Sequence, residues 1–313
     1  MIWLKIPLLL CLVVTISGCS LKTYAINMVG DALAEGNSVY ETDDDLELVG
    51  GALPFGLKLT ESLLEQSPNH QGLLLTASRG FVLYSYGYVH YEAELEMDDD
   101  LDRARVVRTR ARKLYLRGAR YSLRALERDH PGFEQQLTTD PHAAVAGVRA
   151  DEDVALLYWT AAALGLAISV STDDAALLAR LPEVEAMVDR ALELDESWED
   201  GALHEFKVVL AGGGTGARDY ESIRRHYERA LELSNGQHAG LYIAYAEAVS
   251  VPTQNAAEFH TLIQKALSVD PNADPQTRLV NLLAHRRAHW LAARADDLII
   301  DDSIIQSSGG TQQ

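Results

Sequence analysis

Beyond about residue 20, apolar side chains recur at intervals of three and four along the chain, and Ala, Leu, Glu and Arg dominate. That spacing winds an apolar stripe along one side of a helix, and those residue types lose little side-chain freedom there. The strict alternation that marks strands is almost absent. An all-α chain is predicted. One local phrase also keeps returning. Arg190-Ala191-Leu192-Glu193-Leu194-Asp195 is followed 39 residues later by Arg229-Ala230-Leu231-Glu232-Leu233-Ser234. After a further 36 residues comes Lys265-Ala266-Leu267-Ser268-Val269-Asp270-Pro271, and looser versions run over Arg124–Pro131 and Glu61–Pro68. Small Ala lets two helices approach closely, Leu fills the seam, and Pro stops the helix that carries it.

A period in the mid-thirties with Ala-Leu ahead of a helix stop is similar to tetratricopeptide helix pairs. The expected architecture is therefore a tetratricopeptide-like solenoid of antiparallel helix pairs. Each pair buries a face on its neighbours, and the whole leaves a concave surface. The uncharged run Val154 to Thr172 has the nineteen residues that would just cross a bilayer. Asp151, Glu152 and Asp153 precede it, Asp173 and Asp174 follow, and no Lys or Arg marks a cytoplasmic end. A helix apolar all round is equally what the centre of a solenoid requires, and the run is predicted to be buried.

The first residues form an address. Lys5 supplies a positive charge, Ile6 to Val14 are apolar, and Ile16-Ser17-Gly18-Cys19 follow. These are the parts of a secretory signal peptide, and Ile6 to Gly18 is too short to span a membrane comfortably. The ending resembles the lipobox of bacterial lipoproteins, in which the cysteine is acylated and becomes the mature N-terminus. It implies a signal peptide over 1–18, lipidation at Cys19, a helical domain over 19–300 tethered through that cysteine, and a disordered tail over 301–313. Acyl chains worth about 0.8 kcal/mol per buried methylene would hold the tether stably. Ser20 stands where an Asp would resemble an inner-membrane retention signal, so a periplasmic domain anchored to the outer membrane is expected.

Composition narrows the partners. The chain carries 27 Lys and Arg against 46 Asp and Glu, a formal charge of −19. Such a surface is repelled by phosphate backbones and anionic lipid, which excludes nucleic acid as a partner and leaves the lipid anchor as the membrane contact. Two cysteines, Cys11 and Cys19, exclude a disulfide framework.

Several phrases, taken in order, resemble the T-component lipoproteins of tripartite ATP-independent periplasmic (TRAP) transporters, the TatT family. Asn37-Ser38-Val39-Tyr40 runs through Asp43-Asp44-Asp45-Leu46-Glu47-Leu48-Val49 to Ala52-Leu53-Pro54-Phe55, with Leu57-Lys58-Leu59, Glu61-Ser62-Leu63-Leu64 and Ser67-Pro68 behind. The basic segment Arg112 to Leu126, Val154 to Ala162, Leu181-Pro182-Glu183-Val184 and Arg278 to Ala284 complete the match, which covers Leu21 to Ile299. Departures are Leu46 in place of a frequent Pro, His285 and His289 where Gln and Arg-type residues prevail, and a Gly-rich insert, Gly212 to Gly216. The resemblance implies an all-helical lipoprotein that assembles as a homotrimer and binds the periplasmic solute receptor. A cleft or pore through each protomer would hold or pass a small ligand. The implied role is scaffold and conduit, with no catalysis and no cofactor.

Arg103, Arg110, Arg117 and Arg124 repeat every seven residues, with Lys113 and Arg120 close by, along the edge of the stripe Val107, Ala111, Leu114, Gly118, Tyr121 and Ala125. Their stems can pack while the heads pair with surplus carboxylates on neighbouring helices. Alternatively Arg110, Arg117, Arg120 and Arg124 face an acidic patch on the receptor or an anionic ligand. Tyr84, Tyr86, Tyr88 and Tyr91 crowd one helix and Tyr158-Trp159 another. Tyr84, Tyr88, Tyr158 and Trp159 are the candidates for a cleft wall, where aromatic bodies with polar tips orient a guest; core packing is the competing reading.

Other motifs read as structure. Asp43 to Glu47 lacks the glycine and distal glutamate of a calcium loop and reads as a helix start capped by Asp44 or Asp45, as does Glu96 to Asp102. His285 and His289 are four apart but have no adjacent Glu, so no metal site is assigned. The Gly212–Gly216 loop lacks the Lys and Ser/Thr of a phosphate cradle, and no nucleophile motif is found. The chain reads as a lipid-anchored periplasmic scaffold and conduit of a TRAP-type uptake system. The rival is a general envelope scaffold that binds peptides or another envelope protein on a concave helical surface.

Overall fold

The computed structural model describes residues 27–34, 38–97, 99–213 and 218–300. The signal segment, Cys19, Asp98, residues 214–217 and the tail 301–313 lie outside them. Every regular element among the described residues is helical. In chain order these are α1 (27–34), α2 (Ser38–Glu41), α3 (Leu46–Gln66), α4 (Gln71–Tyr84), a wide π-type segment (Ser85–His90), α5 (Tyr91–Leu95) and α6 (Leu101–Asp129). Then come α7 (Phe133–Thr139), α8 (Pro141–Ala146), α9 (Val154–Ser169), α10 (Ala175–Leu178), α11 (Leu181–Leu194) and α12 (Ala202–Gly213). The last are α13 (Tyr220–Leu233), α14 (Ala239–Tyr245), a second π-type segment (Ala246–Ser250), α15 (Ala256–Ser268), α16 (Arg278–Ala293) and α17 (Ala295–Leu298). The fold is all-α.

Acidic runs start helices, as expected. The Asp45 carboxylate accepts the backbone N–H of Glu47 and Leu48 at the head of α3, and Asp100 accepts that of Arg103 at the head of α6. Asp140, Asp174 and Asp219 do the same for α8, α10 and α13. Each satisfies N–H groups that the first turn leaves open and places a negative charge at the positive end of the helix dipole.

The recurring Ala-Leu phrases end α3, α6, α11, α13 and α15. Their alanines Ala125, Ala191, Ala230 and Ala266 are all buried. α9 is long and apolar enough, together with the turn before it, to cross a membrane, yet 72% of that stretch is buried inside the protein. It packs against α4, α6 and α11, so most of its faces meet protein.

Two hydrophobic bodies result. The larger gathers α4, α6, α9 and α11 around Leu73, Tyr115, Leu157 and Met187; the second gathers α13 to α16 around Ile223, Phe259 and Leu291. α12 belongs to both, with Leu203 and Phe206 in the first and Val208 in the second. The halves meet again at a second place. α16 returns to the beginning of the chain, where Leu279 and Leu283 pack with Val49 and Leu53 of α3. Gly87 lets Leu283 lie on the backbone, because a Cβ there would sit 3.0 Å from its methyls. Arg278 donates to the Thr42 carbonyl and Arg286 to the Gly87 carbonyl. Arg287 bridges Glu94 of α5 and Glu247 of the second π-type segment, the latter at 2.6 Å. An open row of helices would end in two free ends; here the last long helix packs back on the first ones.

Two outcomes follow from this packing. Arg287→Ala leaves two carboxylates facing each other in a partly enclosed seam, which should lower unfolding free energy in urea by about 2–3 kcal/mol. An unchanged urea midpoint would show that the apolar seam closes the ring unaided. Burial, followed by the Arg287 and Arg108 charges, pushes His90 down to about 4. Burial and the neighbouring His204 push His226 down to about 4 as well. The unfolded chain binds these protons near pH 6.5 and the folded one does not, so stability declines as pH falls from about 6.5 to 4. A series of melting temperatures across that range should show the decline, and a shallower one in the His90→Gln, His226→Gln double variant.

Candidate functional site

Where the C-terminal helix packs back on the start of the chain, side chains from distant segments come near one another. Tyr86 exposes 47% of its surface, yet enclosure by protein is the leading cause that drives its hydroxyl up to about 12. A surface reachable by water but surrounded by protein faces inward. Glu199 shows the same pairing: an exposed side chain whose carboxyl is raised above the usual range, first by burial. Charges from distant segments act on these groups together. Tyr86 feels Arg287, Glu247, Glu94 and Glu205, and Tyr158 feels Glu199, Glu205, Arg79 and Tyr86. These groups come from α2, α4, the first π-type segment, α5, α9, the Trp198–Gly201 turn, α12, the second π-type segment and α16.

At one end Tyr158 of α9 is the centre of an aromatic group. Its ring lies 4.7 Å from Trp198, 5.0 Å from Trp159 and 5.8 Å from Phe206, centroid to centroid. Enclosure drives the Tyr158 hydroxyl far above its ordinary value, with Glu199 and Glu205 adding to the effect. The Trp198–Gly201 turn that brings Glu199 here is strained. Glu199 has φ 42° and Asp200 φ 52°, left-handed values that cost about 1 kcal/mol or more each without glycine, and Gly201 continues at φ 93°. Arg79 pairs with Glu41 at 2.7 Å and lies 5.4 Å from the Trp159 ring centre. Burial opposes a charge on His238, but Glu205, 3.5 Å away, outweighs it and raises the imidazole. At the other end Tyr86 adjoins the Arg287 bridge, where burial raises Glu94 against the pull of Arg287.

The sequence-chosen residues distribute unevenly. Tyr158 packs among Trp159, Trp198 and Phe206, and Trp159, 6% exposed, lies beneath Arg79. Tyr84 and Tyr88 stack on each other at 5.9 Å, but on the ring-closing seam; the Tyr88 hydroxyl donates to the Leu46 carbonyl at 2.9 Å. Tyr86, Trp198, Glu199, Glu205, Arg79 and Arg287 were not singled out as wall residues. Tyr86 could have been found from helical spacing itself, which sets residue 86 opposite the face shared by 84 and 88.

The basic stripe on α6 splits in two. Arg117 pairs with Glu61, which also accepts the Tyr121 hydroxyl at 2.6 Å, and Arg117 lies over the Phe81 ring. Arg110 donates to the Tyr84 hydroxyl at 3.2 Å, and Arg103 pairs with Glu92 and Glu96. Arg120 is exposed, and neither it nor the half-buried Arg124 forms an ion pair with a described residue. Lys113 and Arg110 border a shallow outer groove with Val106 and Thr109.

Comparison with known proteins gives a consistent result. A family model described as TRAP transporter T-component matches residues 42–299. A protein of Treponema pallidum (strain Nichols), described as an uncharacterized protein, is 31% identical over 304 residues, spanning 91% of this chain and 94% of its own length. With an all-helical fold and a family-model match over residues 42–299, this chain belongs to the TRAP transporter T-component family.

Proposed function

We propose that this chain is the lipid-anchored periplasmic T-component of a TRAP-type solute uptake system. It holds the system's periplasmic solute receptor and offers it a ligand-binding lumen. The observation that carries this reading is the ring: a family member of a transport system whose helices close around a wall of aromatic and ionisable side chains. A concave pocket with a few placed polar groups and shifted titrating residues suits the holding of a small molecule. The arrangement positions and encloses a guest, and the proposed role is non-catalytic.

The helices are read as tetratricopeptide-like pairs, supported by the repeated phrase at the ends of α11, α13 and α15 and by its buried alanines. Cys19 is proposed as the acylated residue, the outer membrane as the anchoring surface, and a homotrimer as the assembled form. The receptor is proposed to dock on the outer face of α6, using Arg120, Arg124 and Arg110 with Lys113 beside them. Arg117 supports this face from behind through Glu61.

Two measurements check the reading. Cys19→Ser should move the protein from the membrane fraction to the soluble periplasm with its helical content unchanged; continued membrane retention would remove the lipid tether. Arg120→Gln with Arg124→Gln should weaken capture of the solute receptor several-fold in a surface-binding assay while the melting temperature holds. Undiminished capture would place the receptor elsewhere.

A further inference from the structure

We propose that His204 and His226 form a proton-operated clasp that holds α13 on α12 and releases it on acidification. The two imidazoles belong to different helices and meet nitrogen to nitrogen, Nδ1 to Nδ1 at 2.7 Å, with ring centres 5.0 Å apart. His204 is buried and His226 half-buried. On its far side His204 Nε2 lies 3.0 Å from a Glu196 carboxylate oxygen. Arg229 of α13 donates to the same carboxylate through two nitrogens, at 3.0 and 2.8 Å, and it, followed by His204, holds the carboxyl down to about 2. An ionised carboxylate only accepts, so the His204 Nε2 carries a hydrogen and donates it. The path His226–His204–Glu196–Arg229 thus leaves α13, crosses α12 and the turn before it, and returns to α13.

A single hydrogen fits on the line between the two Nδ1 atoms. While both rings are neutral, His204 accepts there and His226 donates. One added proton is tolerated, because either ring as an imidazolium still offers one N–H to the lone pair of the other. A second proton sets N–H groups on both facing atoms and brings two cations to contact distance, so the rings must part. The surroundings do not offset that repulsion. Asp189 of α11 favours a charge on His226, but Lys207 of α12 already holds it at 2.6 Å, and Arg225 of α13 adds further positive charge. Burial first, then His204, Lys207 and Arg225, push His226 down to about 4. An imidazole that titrates near 6.5 when released and about 4 when clasped favours release as pH falls between those values. α12 contributes side chains to both hydrophobic bodies and α13 is the first helix of the second, so the clasp sits where the two bodies join.

The test is hydrogen exchange of the purified protein, read by mass spectrometry and corrected for the intrinsic rate at each pH. Between about pH 7 and about pH 5 the protection of α13 should fall roughly tenfold while α4 and α9 keep theirs. His226→Gln supplies an amide that can still donate to His204 but takes up no proton, so α13 should stay protected at both values. His90→Gln removes the other imidazole that burial holds neutral and should leave the α13 response intact. An even loss across α4, α9 and α13 would overturn the inference, since acid would then weaken the whole fold. A fall in α13 that survives His226→Gln, or α13 protection that acid does not change, would overturn it as well. Imidazole resonances of the unsubstituted protein give a check free of mutation. His226 should titrate well below its ordinary value of about 6.5, and titration at or above that value would rule the clasp out.

Discussion

The structure depends on α16 returning to the start of the chain. The two hydrophobic bodies share backbone through α12, and they meet a second time where α16 packs on α3 and the first π-type segment. Leu279 and Leu283 supply the apolar part of that joint, and Arg287, set between Glu94 and Glu247, supplies the polar part. The two parts do different work. Apolar contact gives adhesion without direction, while a guanidinium between two carboxylates fixes register, because a slipped seam would leave three charges partly buried and unmatched.

The proposed lumen would follow from that closure and would account for a charge pattern that is costly elsewhere. Carboxyls on the outside of a protein stay near their ordinary values; here burial raises Glu41, Glu94 and Glu199. Keeping them so costs stability, as does the left-handed pair Glu199 and Asp200. Costs concentrated on one interior surface, in a protein with ordinary cores on either side, mark that surface as the part kept for use rather than for folding.

What could be read from the chain was what local sequence controls. Ala125, Ala191, Ala230 and Ala266 revealed helix ends and close approaches because a small residue four or five positions before a stop acts within its own helix. Asp45 and Asp100 revealed helix starts for the same reason, and the uncharged stretch of α9 betrayed a central position. Closure could not be read, since Arg287 meets Glu94 across 193 positions and Glu247 across 40. Nor could the wall. Helical spacing groups Tyr84 with Tyr88, and they stack on the seam, while Tyr86, two positions from each, falls on the opposite side of the helix. Glu199 offered no signal at all, because nothing in Trp198-Glu199-Asp200 announces a left-handed backbone before its glycine.

The outer face of α6 gives the molecule a polarity of another kind. A body of formal charge −19 that carries Arg110, Lys113, Arg120 and Arg124 along one side has an uneven charge distribution, and hence a dipole moment. Within roughly a Debye length, about 8 Å at physiological ionic strength, that moment exerts a torque on any charged surface drifting past. An acidic neighbour is rotated toward the basic flank before a single atom touches, and one arriving at the opposite flank is turned away.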